Sequence, residues 1–464
     1  MNRFLFALCV LFLLASSSVL AAEKKPAPSS ETQDLNLVNA QCMALKENPS
    51  MAVAMERVEQ ARARVEQAVA NWYPSLDLAF GGGHQHLSDT TYKQNKAISE
   101  FLGTSLDQNN MEYNSSLQAT WVLFDGFYRS FNEKKAKLGQ EAEENGQNDS
   151  KRLLAASVAQ AFLNAQLAQT NIDIAQANVQ FYNDQLKNAQ NRYDVGAGPW
   201  GDVLNIKVQR NSAQSSLMQY QRELEAAEYG LAALLGLPNA SLPADMRLAP
   251  LGNKLPEKEV TNDAQETIAK AYALRPDVRR LEKMIAASES ALGMAKAHMY
   301  PTITAKGSLA GERENSLPAQ DEYYGNTISL NMSWNLYSGG ADKARMVEAQ
   351  HAQREASYNL ASLRNSVAAE IRQDFALLAA AKEQVQLQQQ SVELVKENRQ
   401  LAQNAYEAGE APLIQLNEAQ KDLNTTASRL AQALVAYQRA QQQLLEASGR
   451  NLEPVYKETS CRQE

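Results

Sequence analysis

Two turns separated by 213 residues constrain this chain more than any other feature. Residues 193–203 read Tyr-Asp-Val-Gly-Ala-Gly-Pro-Trp-Gly-Asp-Val, and residues 406–412 read Tyr-Glu-Ala-Gly-Glu-Ala-Pro. Each interrupts helix-forming sequence far longer than a globular helix. Over 129–192 there is no proline, and only Gly139 and Gly146, in a background rich in Ala, Gln, Leu and Glu. A continuous helix there is about 96 Å long, against the roughly 8–20 residues usual in globular domains.

The same offset of 213 relates Trp121 to Trp334 and Gly236 to Gly449, while an offset of 227 relates Pro49 to Pro276 and Pro74 to Pro301. The 14-residue difference falls between two strand segments, so the first hairpin carries the longer loop. Markers this consistent define a tandem duplication of helix, strand, strand, long helix, turn and helix. The first repeat spans 36–238, a Pro-containing connector 239–262, the second repeat 263–449 and a polar tail 450–464. Ahead of them, Arg3, an apolar run over 4–14 and the small-residue pattern Val19-Leu20-Ala21 read as a secretory signal peptide over 1–22. Residues 23–35, with Pro26, Pro28 and paired serines, read as a flexible leader.

Residues 36–70 predict one helix with Pro49 as its sole irregularity. After Trp72-Tyr73-Pro74 the period changes to two: Leu76, Leu78 and Phe80 alternate with Ser75, Asp77 and Ala79. A polar stretch then reads as a loop, and Leu117, Ala119, Trp121 and Leu123 alternate with Ser116, Gln118 and Thr120. The second repeat places Ile328, Leu330, Met332 and Trp334 against Thr327, Ser329, Asn331 and Ser333. Strands are therefore expected near 75–83, 114–125, 302–309 and 326–337.

The lengths fit together. Two helices of about 35 residues end to end match one of about 65, giving a bundle about 100 Å long with strands at one end and the Tyr–Gly turns at the other. Two strands per repeat are too few for a sandwich in water. An apolar face about 9–10 residues long suits a tilted transmembrane β-strand, and such strands require a closed barrel. Four strands per chain close only with partners; three copies give twelve strands. Lipid then faces Leu117, Trp121, Ile328, Leu330 and Trp334, and the lumen faces the Ser, Thr and Asn side. The fold class is mainly α with a small β part: a long coiled-coil barrel joined to a transmembrane β-barrel.

The formal charge of −8 argues against nucleic acid as a partner. Cys42 and Cys461 survive signal removal; in an oxidising compartment they either pair or remain two thiols. His84 and His86 alone make a weak metal site, Gly81-Gly82-Gly83 lacks the following Lys of a phosphate loop, and no catalytic constellation is evident. Neither a cofactor, a metal nor an enzymatic activity is expected.

The duplication, the junctions Trp121-Val-Leu-Phe-Asp-Gly126 and Trp334-Asn-Leu-Tyr-Ser-Gly339, and the Tyr-x-x-Gly that opens each turn resemble the TolC family of outer-membrane efflux and secretion channels. The resemblance covers roughly 36–450 and implies a homotrimer: a twelve-stranded barrel in outer-membrane lipid, continuing as a helical tunnel into the periplasm. It implies a closed tip that opens when a periplasmic adaptor and an inner-membrane transporter, of resistance-nodulation-division or ABC type, engage it. On that pattern the tip is formed by Tyr193, Gly196, Asp202, Tyr406, Gly409, Gln415 and Glu418, with Tyr406 bonded to Asp202. Gln415 and Glu418 occupy two ring positions normally Asp, and Ala411 stands where the family has a bracing Arg. A soluble periplasmic coiled-coil adaptor or scaffold is the alternative.

Overall fold

The computed structural model describes residues 33–104, 106–243, 245–252, 263–314, 317–318, 320–457 and 461. The signal peptide, most of the leader and the last part of the connector lie outside the described residues. In chain order, β1 (Gln33–Leu35) precedes the elements of the first repeat: α1 (Leu37–Glu47), α2 (Pro49–Ala70), β2 (Ser75–His86), α3 (Asp89–Leu102), β3 (Asn109–Phe124), α4 (Tyr128–Asp194) and α5 (Trp200–Leu235). A short β4 (Met246–Leu248) follows, then α6 (Ala264–Leu274), α7 (Pro276–Ala297), β5 (Thr302–Glu314), β6 (Tyr324–Ser333), α8 (Ala341–Ala408), α9 (Leu413–Ala447) and α10 (Glu453–Lys457).

The long helices α4 and α8 contain 67 and 68 residues, each about 100 Å of rod. Toward the sheet α4 is flanked by α2 and α7, and toward the turns by α5 and α9; α8 packs on α7 and α9. The seams are lined by small residues: Ala155, Ala159 and Ala165 of α4 are almost fully buried, which lets neighbouring backbones approach closely.

The single helix expected over 36–70 is two helices. Proline has no N–H to continue the ladder and pushes the residue before it out of helical geometry, so Asn48 adopts φ −71° and ψ 124° and caps α2 through Ser50 N. Arg275 before Pro276 has the same conformation, at φ −66° and ψ 125°. Each break meets the end of the other short helix of its repeat. The Asn48 side chain donates to Leu234 O (2.8 Å), and Arg275 Nη1 donates to Ala447 O (3.0 Å). These partners are related by the same two offsets, 227 and 213, that the sequence carries.

The four main strands form one antiparallel sheet in the order β2-β3-β5-β6. Leu78 lies opposite Leu117, and Leu117 opposite Leu309; Trp121 lies opposite Ala305, and Ala305 opposite Leu330. On the other face Asp77, Gln118, Ser308 and Thr327 form one row across the sheet. The strands outrun four of the expected bounds, because ladder bonds continue past the apolar zone to His86, back to Asn109, up to Glu314 and back to Tyr324. β6 instead stops at Ser333, opposite Thr302, where its partner strand begins. Trp334 therefore lies beyond the strand, not on it. Its indole N–H donates to Met299 O (3.1 Å), as that of Trp121 does to Trp72 O (3.0 Å).

Three further segments differ from expectation. The polar loop between β2 and β3 holds α3, capped by the Ser88 side chain and closed by Gly103 at φ +71°. The leader ends in β1 and the connector contains β4, which pair in parallel. The polar tail contains α10, and Cys461 beyond it is bonded to Cys42 of α1, with Cα atoms 5.7 Å apart. That bond fastens the tail to the middle of the bundle, where Val455 is fully buried.

Candidate functional site

At the end of the bundle away from the sheet, four helices converge on one core of Tyr182, Ala189, Val203, Ile206, Ala402, Tyr406, Leu413 and Leu416. The two turns that close it use the same device. α4 ends at Val195 with Gly196 at φ +75°, and α8 ends with Gly409 at φ +78°. Glycine takes this left-handed conformation freely, so backbone N–H groups turn back onto the last carbonyls: Ala197 N reaches Arg192 O (2.7 Å) and Glu410 N reaches Ala405 O (2.8 Å). Pro199 and Pro412 then start α5 and α9 in extended geometry.

The two tyrosines are treated differently. Tyr406 is 6% exposed and its hydroxyl donates to Asp202 Oδ2 at 3.0 Å. Asp202 sits in the first turn of α5, where the helix dipole favours a carboxylate. Burial and the bond to Asp202 push the Tyr406 hydroxyl up to about 12. Tyr193 is 43% exposed and lies against Trp200, with ring centroids 5.0 Å apart. Gln415, which corresponds to Asp202 across the repeat, is exposed, as is Glu418 on the same helix.

Sequence reasoning missed several residues here. Arg192, in the last turn of α4, donates from Nη1 to Tyr406 O (3.0 Å) and lies 5.1 Å from the centre of the Tyr406 ring. Asn417 reaches Asn205 (3.4 Å), and Gln420 reaches Asn178 (3.1 Å). Arg192 stands beside Tyr193 while its repeat counterpart is Ala405; that lone charge was the available signal.

The residues expected to face lipid lie on the open side of the sheet or just beyond it. Ile328 is 90% exposed and Leu330 70%, with Trp334, Trp121 and Leu117 at 52%, 46% and 38%. Leu76, Leu78 and Phe80 extend this apolar face across β2. Edge strands β2 and β6 have no second neighbour among the described residues.

Midway along the bundle lies a buried ionic cluster. Arg275 bonds Asp277 through two nitrogens (3.1 and 2.8 Å) and Glu370 (2.8 Å), while Arg152 meets Asp149 (2.9 Å) and Glu446 (3.3 Å). Burial works against the Arg275 charge, but Asp277 and Glu370 hold its pKa above the ordinary value. Asp374 is 8% exposed with Oδ2 unpartnered; burial, then Glu370 and Glu446, push its carboxyl up to about 6. Among the described residues no group of three or more His, Cys, Asp or Glu is placed to hold a metal ion.

Comparison with known proteins agrees with this architecture. Nodulation protein T of Rhizobium leguminosarum bv. trifolii is 24% identical over 428 residues, covering 89% of this chain and 85% of its own. Alkaline protease secretion protein AprF of Pseudomonas aeruginosa is 25% identical over 331 residues, or 70% of this chain and 66% of its own. Cation efflux system protein CusC of Escherichia coli (strain K12) is 24% identical over 401 residues, or 83% and 80%. A crystal structure of CusC matches this fold with a TM-score of 0.72 at 20% identity, over 92% of this chain and 95% of that one. The family model described as outer membrane efflux protein matches residues 42–237 and 267–450. The duplicated bundle, the amphipathic sheet at one end and the closed turns at the other are thus those of a chain that belongs to the outer membrane efflux protein family.

Proposed function

We propose that three copies of this chain form an outer-membrane exit duct, opened at its helical tip by a periplasmic adaptor and an inner-membrane transporter. One observation carries the assembly. The sheet has an exposed apolar face, a polar face and two free edges, and β2 and β6 run in opposite directions. Joining β6 of one copy to β2 of the next is therefore antiparallel, and three copies remove every edge, as a lipid-spanning sheet requires. Family membership sets aside the soluble adaptor. The polar faces line the lumen, and Ile328, Leu330 and Leu117 meet lipid.

The tip is the gate. Tyr406, Gly409, Gln415 and Glu418 belong to the α8–α9 hairpin, and Tyr193, Gly196 and Asp202 to the α4–α5 hairpin; separating the hairpins requires breaking the Tyr406–Asp202 bond. Three Glu418 carboxylates around the axis favour cations at the mouth. The cargo follows from the transporter, since the fold by itself does not fix function. Membrane fractionation followed by mass measurement in detergent tests the reading. A trimer extracted from outer membranes, conducting in planar bilayers, is expected; a monomer recovered from soluble periplasm contradicts it.

A further inference from the structure

We infer that Arg192 is the clasp that keeps the two hairpins of one subunit together, with Tyr406 as the part it grips; this rests on the gate reading above. Tyr406 is the only tip residue held from three sides by the opposite hairpin, among the contacts of the described residues. Asp202 accepts a hydrogen bond from its hydroxyl (3.0 Å), Arg192 Nη1 donates to its carbonyl (3.0 Å), and the guanidinium covers its ring at 5.1 Å.

The arrangement is more than a helix cap. Tyr406 O already accepts the Gly409 N–H (3.1 Å) that closes the α8 turn, so Arg192 is not needed to satisfy that carbonyl. Its bond adds a tie between hairpins instead. Geometry also favours arginine there: the planar fork donates along one edge while its face lies on an aromatic ring, which a lysine ammonium cannot do at once. The position is prepared on both sides. Arg192 lies in the last turn of α4, where a cation is favoured by the dipole. Gly198 keeps the facing turn clear, since a Cβ added there would sit 3.3 Å from Arg192 Cβ. The second repeat has Ala405 at the matching position and so lacks a reciprocal clasp. Each subunit therefore has one such tie, acting on α8 from α4.

The test uses the full-length protein in planar bilayers, with R192A, R192K, Y406F and D202N, and thermal melting of each in detergent. R192A is expected to raise the open-to-closed ratio about tenfold, the size of one charge-assisted hydrogen bond, with its melting transition unchanged. R192K falls between R192A and the parent. R192A combined with Y406F opens the tip by about the product of the separate effects, because Phe keeps the carbonyl and the ring that Arg192 grips and loses only the bond to Asp202. Should R192A fail to fold, R192K decides: raised conductance supports the clasp and parental conductance overturns it. If Y406F and D202N raise conductance while R192A does not, the clasp is wrong and the gate reading stands. If none of the variants changes conductance, the gate reading fails and the clasp with it.

Discussion

The two repeats of this chain share a backbone plan but not a polar one. At the tip, the second-repeat tyrosine is buried and bonded while its first-repeat counterpart, Tyr193, lies half exposed against Trp200. At mid-bundle, Asn48 makes one bond to the end of α5, whereas Arg275 ties the end of α9 to Asp277 and Glu370 as well. Beside the sheet, Arg129 is buried against Asp125 (2.8 Å), Asn71 O (3.3 Å) and Leu123 O (3.1 Å), and its counterpart is Asp342, bonded to Ser338 (2.6 Å). Duplication supplied equivalent positions, and divergence gave the two members of each pair different polar partners.

Mid-bundle carries the largest expected effect. Arg275→Ala leaves Glu370 without its cation and Asp277 with only Arg152, 4.0 Å away, and should destabilise by about 3–5 kcal/mol, as loss of one partner from a buried ion pair does. Asn48→Ala removes a neutral bond and a helix cap and should cost about 1–2 kcal/mol. Thermal melting of the two variants in detergent measures the contrast; equal losses would show that the charge adds nothing at that joint.

The strand-to-helix junctions come next. Gly126 has φ +68°, and a Cβ there would lie 2.5 Å from Ala297 O, whereas Gly339 has φ +67° and open space around it. Gly126→Ala should destabilise by about 2–4 kcal/mol through strain and overpacking together. For Gly339→Ala the left-handed backbone alone predicts about 1 kcal/mol. Yield and melting temperature of the folded protein report both.

A smaller effect concerns pH. The folded protein raises the Asp374 carboxyl from 3.8 to about 6, so it favours the neutral form. That contribution is fully present below the unfolded value and is lost as pH rises through about 6. Melting temperature should therefore rise as pH is lowered from about 7 to about 5, and Asp374→Asn should flatten that rise. A pH profile unchanged by the substitution would place the effect elsewhere, for instance on Glu446, whose pKa burial also raises.

Helix lengths, the duplication and the mainly α fold with its small sheet were readable because long periods and their punctuation are local. Gly196, Gly236, Gly409 and Gly449 stop helices by their own backbone freedom, whatever surrounds them. Strand ends were less legible: alternation fades where Gly81–Gly83 begins, yet the ladder runs on to His86 because Asn109–Asn114 is there to pair with. The break at Pro49 was visible as an irregularity, but its depth depends on Leu234 O, which Asn48 reaches across 186 positions. α3 lacked a long apolar period and shows itself only by its caps, Ser88 and Gly103. At the tip, the resemblance to the TolC family, rather than the repeat itself, picked out Tyr406 and Asp202 together. Arg192 escaped because its target lies 214 positions away, and part of that target is a backbone carbonyl, which no side-chain pattern encodes.

The central claim is that the gate is held through the second-repeat tyrosine, Tyr406, and not through its first-repeat counterpart, Tyr193. Single-channel recordings of Tyr406→Phe and Tyr193→Phe in planar bilayers test it most directly. Tyr406→Phe, which removes the bond to Asp202, should raise conductance, and Tyr193→Phe should leave it at the parental value. Equal conductance changes in the two variants, or a rise with Tyr193→Phe alone, would contradict the account.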